Sequence, residues 1–182
     1  MPGRISPSCR PPGARSPPPS DARLHRHALT KVLPYSPEQL FQLVGDVEAY
    51  PQFVPWLTSM RTWNARQVRP GVTTVDAEAG VGFSFLRERF ATRVLRDADK
   101  LRINVSLLHG PFRALDNDWR FEPDQHGTRI HFSIDFAFKS RILDALLHAN
   151  MDRAVVKLIA CFEARAAEVY GKAEAGAAPS RR

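Results

Sequence analysis

The sequence predicts an α+β domain: a curved antiparallel sheet of about six or seven strands wrapped around one long C-terminal helix, with one or two short helices after the first strand. Three observations predict it. Residues 150–170 place Val155, Leu158, Ile159, Phe162, Ala166 and Val169 at three- and four-residue steps, which gives a helix one apolar face. Between Ile130 and Phe138 large apolar side chains alternate with His131, Ser133, Asp135 and Ala137, the period of a half-buried strand. Most of the chain between these helices reads the same way, and an antiparallel sheet with one apolar face must cover that face.

In chain order, His25–Leu33 alternates weakly and reads as the first strand. Ser36, Pro37 and Gln39 then supply an N-cap, an N1 proline and a capping-box partner for a helix over 37–44, closed by Gly45-Asp46. Residues 47–56 hold three aromatics and two prolines and predict a short helix that ends at Pro55. Strands follow at 60–67, 72–81, 84–95, 100–107, 115–121 and 130–138. Gly80 and Gly82 predict a bulge or a loop within the third of these seven strands. A short helix at 141–147 leads into the long one, and Gly171 stands where a helix end favours positive φ.

With 182 residues the chain can build one real core. No apolar run approaches the roughly 18 residues of a membrane span, so it reads as a soluble protein. The net charge of +7 invites a nucleic-acid reading until it is located. Residues 1–27 carry +4, residues 172–182 carry +2, and residues 28–171 carry only +1. The basicity belongs to the ends. Residues 1–24 are rich in Pro, Arg, Ser and Gly and cannot offset their ordering entropy, which predicts a disordered or over-called extension, with a targeting segment as the alternative. The domain is expected over 25–171, followed by a flexible tail at 172–182. Cys9 and Cys161 predict no structural disulfide.

Catalytic chemistry is sparse. Nothing reads as a phosphate-cradling glycine loop, and His25, His27, His109, His126, His131 and His148 lack zinc-ligand spacing and read as surface residues. No Ser or Cys has an activated setting. Asp116 and Asp118 share a strand face with Arg120 and read as solvated. Asn117 is the one polar side chain on that strand's apolar face. The inward positions Phe83, Phe85, Phe90, Trp119, Phe121, Phe132, Phe136 and Phe162 fit either a well-filled core or an apolar pocket. The reading is a binding module, not an enzyme, with no metal and no required cofactor.

Five stretches carry a resemblance: LPYSPEQLFQLVGDVEAYPQFVPW (33–56), ERFATRV (88–94), HGPFRALDNDWRF (109–121), IDFAFKSRILDALL (134–147) and FEARAAEVYG (162–171). In their order the chain resembles the coenzyme Q-binding, START-like family, which includes Coq10 and RatA-type proteins. The resemblance implies a helix-grip fold with an apolar tunnel that binds ubiquinone, another polyprenyl quinone or a similar lipid, in support of respiratory electron transfer or quinone biosynthesis. By position it implies an entrance at Tyr50, Phe53, Val54 and Trp56, with Pro111 and Phe112 at a turn near the opening. Phe90, Ile103, Val105, Trp119 and Phe121 would line the tunnel from the sheet side. So would Ile134 and Phe136, and Val155, Ile159 and Phe162 would line it from the helix. It implies a cytoplasmic protein in transient contact with the inner membrane, or one on the matrix side of the mitochondrial inner membrane. The alternative it carries is a RatA-type toxin that binds the large ribosomal subunit and blocks subunit joining; a polyketide cyclase/aromatase is a third. Oligomeric state is left open.

Overall fold

The structure, a computed structural model, describes residues 24–83, 86–148 and 151–171, without the side chains of 83, 86 and 145–148. The expectations for residues 1–23, Phe83, Phe85, His148 and 172–182 fall outside the described residues. Seven strands form one antiparallel sheet: β1 (His25–Leu33), β2 (Leu57–Arg69), β3 (Val72–Phe83), β4 (Leu86–Asp97), β5 (Arg102–His109), β6 (Phe112–Asp124) and β7 (Gly127–Phe138). Their spatial order is β1-β7-β6-β5-β4-β3-β2, a meander from β2 to β7 with β1 added beside β7. The chain therefore crosses from one edge of the sheet to the other between β1 and β2. Helix α1 (Pro37–Gly45), a 3₁₀ turn (Val47–Ala49) and helix α2 (Tyr50–Phe53) make that crossing. Helices α3 (Arg141–His148) and α4 (Met151–Tyr170) follow β7.

The local signals act as expected. Ser36 Oγ accepts from Gln39 N at 3.2 Å while Ser36 N donates to Gln39 Oε1 at 2.9 Å, a complete capping box. Gly171 ends α4 at φ +82°. The two β3 glycines act differently from expectation. β3 pairs with β4 without a register shift, and the irregularity lies in β2, between Leu57 and Ser59, opposite Gly80 and Val81. A Cβ at Gly80 would overlap the Ser59 hydroxyl, so the glycine makes room for the neighbouring strand's bulge.

The outer face of the sheet is laced by arginine–carboxylate pairs, and three of its acids, Asp76, Asp97 and Asp118, are buried, contrary to the solvated face expected for Asp118. Asp118 is 6% exposed and lies under Arg102 Nε (2.6 Å) and Arg120 Nε (2.9 Å). Asp76 accepts from Arg93 Nε (2.7 Å), Arg93 Nη2 (3.0 Å) and Asn64 Nδ2 (3.0 Å), the last reached because Asn64 takes φ +54° at a second β2 irregularity. The Arg93 hydrogen bonds, with that of Asn64, hold the Asp76 carboxyl down at about 2. Because the folded value lies below the ordinary carboxylate value of about 4, this contribution to stability is complete above pH 4 and is lost as pH falls through 2. Asp76→Asn is expected to flatten the pH dependence of unfolding between those limits, measured by urea denaturation at pH 5 and pH 2.5.

His25 and His27 correct a second expectation. Strand alternation turns them to the concave face, where His25 is 5% exposed. His25 Nε2 lies 2.8 Å from Asp144 Oδ1 of α3, and His27 Nδ1 lies 2.6 Å from Asp152 Oδ1 of α4. Lys31 pairs with Glu163 further along α4. Edge strand β1 thus clasps both C-terminal helices through polar groups.

Candidate ligand-binding cleft

Strand alternation brings one row of side chains from each strand onto the concave face, and α4 lies across them. Val155, Ile159, Phe162 and Ala166 of α4 are buried there. Val169 belongs to the same expected stripe but is 49% exposed. In the middle of the grip the space is filled by rings. Trp119 lies 4.7 Å from Phe132 and 5.2 Å from Phe162, and Phe162 lies 5.1 Å from Tyr50 and 5.2 Å from Phe53, centroid to centroid. The Tyr50 hydroxyl donates to the Val44 carbonyl at 2.5 Å, and burial pushes its phenol well above the ordinary value. Asn117 is explained by the same packing. Its amide oxygen accepts from Trp119 Nε1 at 2.8 Å and its Nδ2 donates to the Ser133 carbonyl at 2.8 Å, so it satisfies a buried indole.

Of the sixteen expected site residues, Tyr50, Phe53, Ile103, Val105, Trp119, Phe121, Ile134, Val155, Ile159 and Phe162 meet in this one cluster. Phe90, Phe112 and Phe136 belong instead to a second aromatic group completed by Phe138, with rings 4.6 to 5.5 Å apart. Pro111 anchors that end through its carbonyl, which accepts from Lys139 N at 2.8 Å. Val54 is fully buried behind α2. Trp56 stacks under Lys157, 5.5 Å from ring centre to ammonium.

Filling is uneven. Val105 and Ile134 point inward from the sheet and Met151 and Leu158 belong to α4, yet all four are only half-buried. On the β2–β4 side of α4 a cleft of about 580 Å³ opens between the α1–α2 crossing, the concave face and the end of α4. Leu43, Phe53, Val75 and Val169 supply its apolar wall, and Gln42, Asp46, Glu48, Thr62, Arg96 and Arg165 its polar one. Only Phe53 of the sixteen expected residues lines it. Among the described residues no group of three or more His, Cys, Asp or Glu is placed to hold a metal ion. Burial pushes the Cys161 thiol up, away from nucleophilic character. No described helix is long and apolar enough to cross a membrane.

A sheet of seven antiparallel strands holding a C-terminal helix against its concave face is the helix-grip fold of START and Bet v 1-like domains. The chain belongs to the family described as polyketide cyclase/dehydrase and lipid transport, which matches residues 33–163. It is 37% identical to the ribosome association toxin RatA of Rickettsia prowazekii, over 77% of this chain and 94% of that protein. It is 30% identical to the mitochondrial coenzyme Q-binding protein COQ10 homolog B of Xenopus laevis, over 80% of this chain and 59% of that one. Among solved structures, an 18 kDa protein of Caulobacter crescentus is 67% identical, with a TM-score of 0.70 across 81% of this chain and 99% of that chain. A START superfamily protein from Mycobacterium smegmatis, 20% identical at a TM-score of 0.64 and covering 80% of this chain and 98% of that chain, shares the fold.

Proposed function

We propose that this protein binds a polyprenyl quinone or similar lipid between the sheet and α4 and carries it in support of respiratory electron transfer or quinone biosynthesis. The uneven filling of the grip carries this reading. Inward-facing Val105, Ile134, Met151 and Leu158 remain half-buried under the grip, and a separate cleft of ligand size opens at the far end of α4. Apolar surface left in contact with water costs about 25 cal/mol per Å², and each buried CH₂ of a prenyl tail recovers about 0.8 kcal/mol. The family's lipid-transport description and the coenzyme Q-binding relative support the same ligand class. Contact with an anionic bilayer would use α3 and the first half of α4. Ile142 and Val156 are 73% and 61% exposed there, beside exposed Arg141, Arg153 and Lys157. The Asn117 amide, the polar group a cyclase reading would turn to first, is engaged at both ends by Trp119 and the Ser133 carbonyl and gives that alternative no support.

The test is to purify the protein without detergent, extract it with organic solvent and analyse the extract by mass spectrometry. A quinone or related lipid near one per chain is expected. An empty extract, repeated after incubation with quinone-loaded vesicles, overturns the reading. The RatA relative, matched over nearly its whole length, favours a second reading: association with the large ribosomal subunit that blocks subunit joining. Co-sedimentation with isolated large subunits across a salt series tests it, and binding carried by the basic tails would fall steeply with salt.

A further inference from the structure

We propose that Arg96 is the polar anchor of the cleft and that it selects a neutral lipid whose head group offers a carbonyl oxygen, the chemistry of a quinone ring. This rests on the lipid-binding reading above and adds to it the contact that orients the ligand.

Strand pairing sets Arg96 opposite Ile103, two residues beyond buried Val94 and on the same concave face. Its neighbours on the outer face are paired: Arg93 with Asp76, and Arg102 and Arg120 with Asp118. Arg96 instead enters the cleft, where three residues of α1 fix its guanidinium. The Cζ atom stands 5.2 Å over the Phe41 ring. Nη2 donates to Gln42 Oε1 at 2.7 Å. The group lies so close to Gly45 that a Cβ there would come within 2.6 Å of Cζ. These contacts with α1 set the direction of the guanidinium.

Its Nε is buried and has no hydrogen-bond acceptor among the described residues. A buried N–H without an acceptor is unfavourable; α1 at Gly45 covers the atom, so a ligand oxygen would reach it as the guanidinium shifts off that glycine, and the hydrogen bond formed would remove the cost. The charge balance decides which oxygen. The cleft lining holds two cations, Arg96 and Arg165, and two acids, Asp46 and Glu48. Arg165 is already engaged by Glu168 and Gln52, and Glu48 accepts from Thr62. With formal charges cancelling, the cleft gives an anion no net reward, whereas a local donor beside Phe53 and Val75 suits a flat ring with a neutral carbonyl.

The test is calorimetric titration of the full chain with three ligands of equal tail length: a decyl-substituted benzoquinone, decylbenzene and decanoate. The quinone is expected to bind about 10- to 100-fold more tightly than decylbenzene, and more tightly than decanoate. Arg96→Met is expected to bring the quinone down to the decylbenzene level and leave decylbenzene unchanged. Equal affinity of the unaltered protein for quinone and decylbenzene overturns the role of Arg96 while leaving lipid binding standing. Tighter binding of decanoate overturns the selection of a neutral head group. Failure of all three to bind overturns the lipid reading together with this one. If Arg96→Met does not fold, the comparison of ligands on the unaltered protein decides the question alone.

Discussion

Phe162→Ala is expected to lower the unfolding free energy by about 3–5 kcal/mol, whereas Val156→Ala, on the opposite face of the same helix, should change it by less than about 0.5 kcal/mol. Phe162 is 3% exposed and its ring contacts those of Tyr50, Phe53 and Trp119 at 5.1 to 5.2 Å. These belong to α2 and β6, so this one side chain of α4 ties the helix to the crossing and to the centre of the sheet. Truncation removes the buried area and leaves a ring-sized gap whose walls are fixed by other contacts. Tyr50 is held by its hydrogen bond to Val44, and Trp119 by Asn117. The walls therefore relax little, which places the cost in the upper part of the range for large-to-small substitutions. Val156 is 61% exposed and loses almost no buried area. Urea denaturation of both variants measures the contrast. A loss under about 1 kcal/mol for Phe162→Ala would mean that the ring cluster is loosely packed and that the middle of the grip is open rather than filled.

The elements were legible where a local pattern repeats, and the cleft was not, because it has no local pattern. β7 announces itself through five inward apolar residues at period two, and α1 through Ser36, Pro37 and Gln39. Arg96 shows the opposite case. Its apolar-polar alternation seemed complete at Leu95, but β4 runs on to Asp97, and the extra two residues carry a charged side chain onto the concave face. Hydrophobic periodicity reads a charge at an inward position as the end of a strand. His25 and His27 were misplaced for a related reason. Polar residues on a short edge strand look solvated until α3 and α4 supply Asp144 and Asp152 across 119 and 125 residues of chain. Most of the expected tunnel residues do meet, because an apolar row needs only the strand period. Whether their meeting place is dry depends on how α4 sits, and that is fixed by the β1 clasp and the ring cluster together. The cleft draws on α1, α2, three strands and the end of α4, and no single stretch of sequence encodes it.

Gly127→Ala is expected to cost at least about 3 kcal/mol, although it adds only one methyl group. Gly127 opens β7 at φ +128°, a conformation that L residues rarely adopt. Its Cα hydrogens face the end of β1. A Cβ there would overlap the Leu33 carbonyl oxygen and lie 2.8 Å from Pro34 Cα and 3.0 Å from Tyr35 N. All three obstacles are backbone, so no side chain can turn aside. The backbone they belong to is itself pinned: buried Thr128 donates its hydroxyl to the Tyr35 carbonyl at 2.6 Å, and Tyr35 N donates to the Leu33 carbonyl at 2.9 Å. Relief of the overlap must move the β6–β7 turn away from the β1–α1 corner, and α1 carries Gln42 and Gly45, two of the groups that hold Arg96. The substitution is therefore expected to reach beyond stability. Residual folded protein should show weakened quinone affinity in the same titration, whereas Gly171→Ala should leave affinity unchanged, because a Cβ there meets nothing within 4 Å. A Gly127→Ala protein with unaltered thermal stability would show that the corner yields freely, and that the α1 wall of the cleft is not rigidly attached to the sheet.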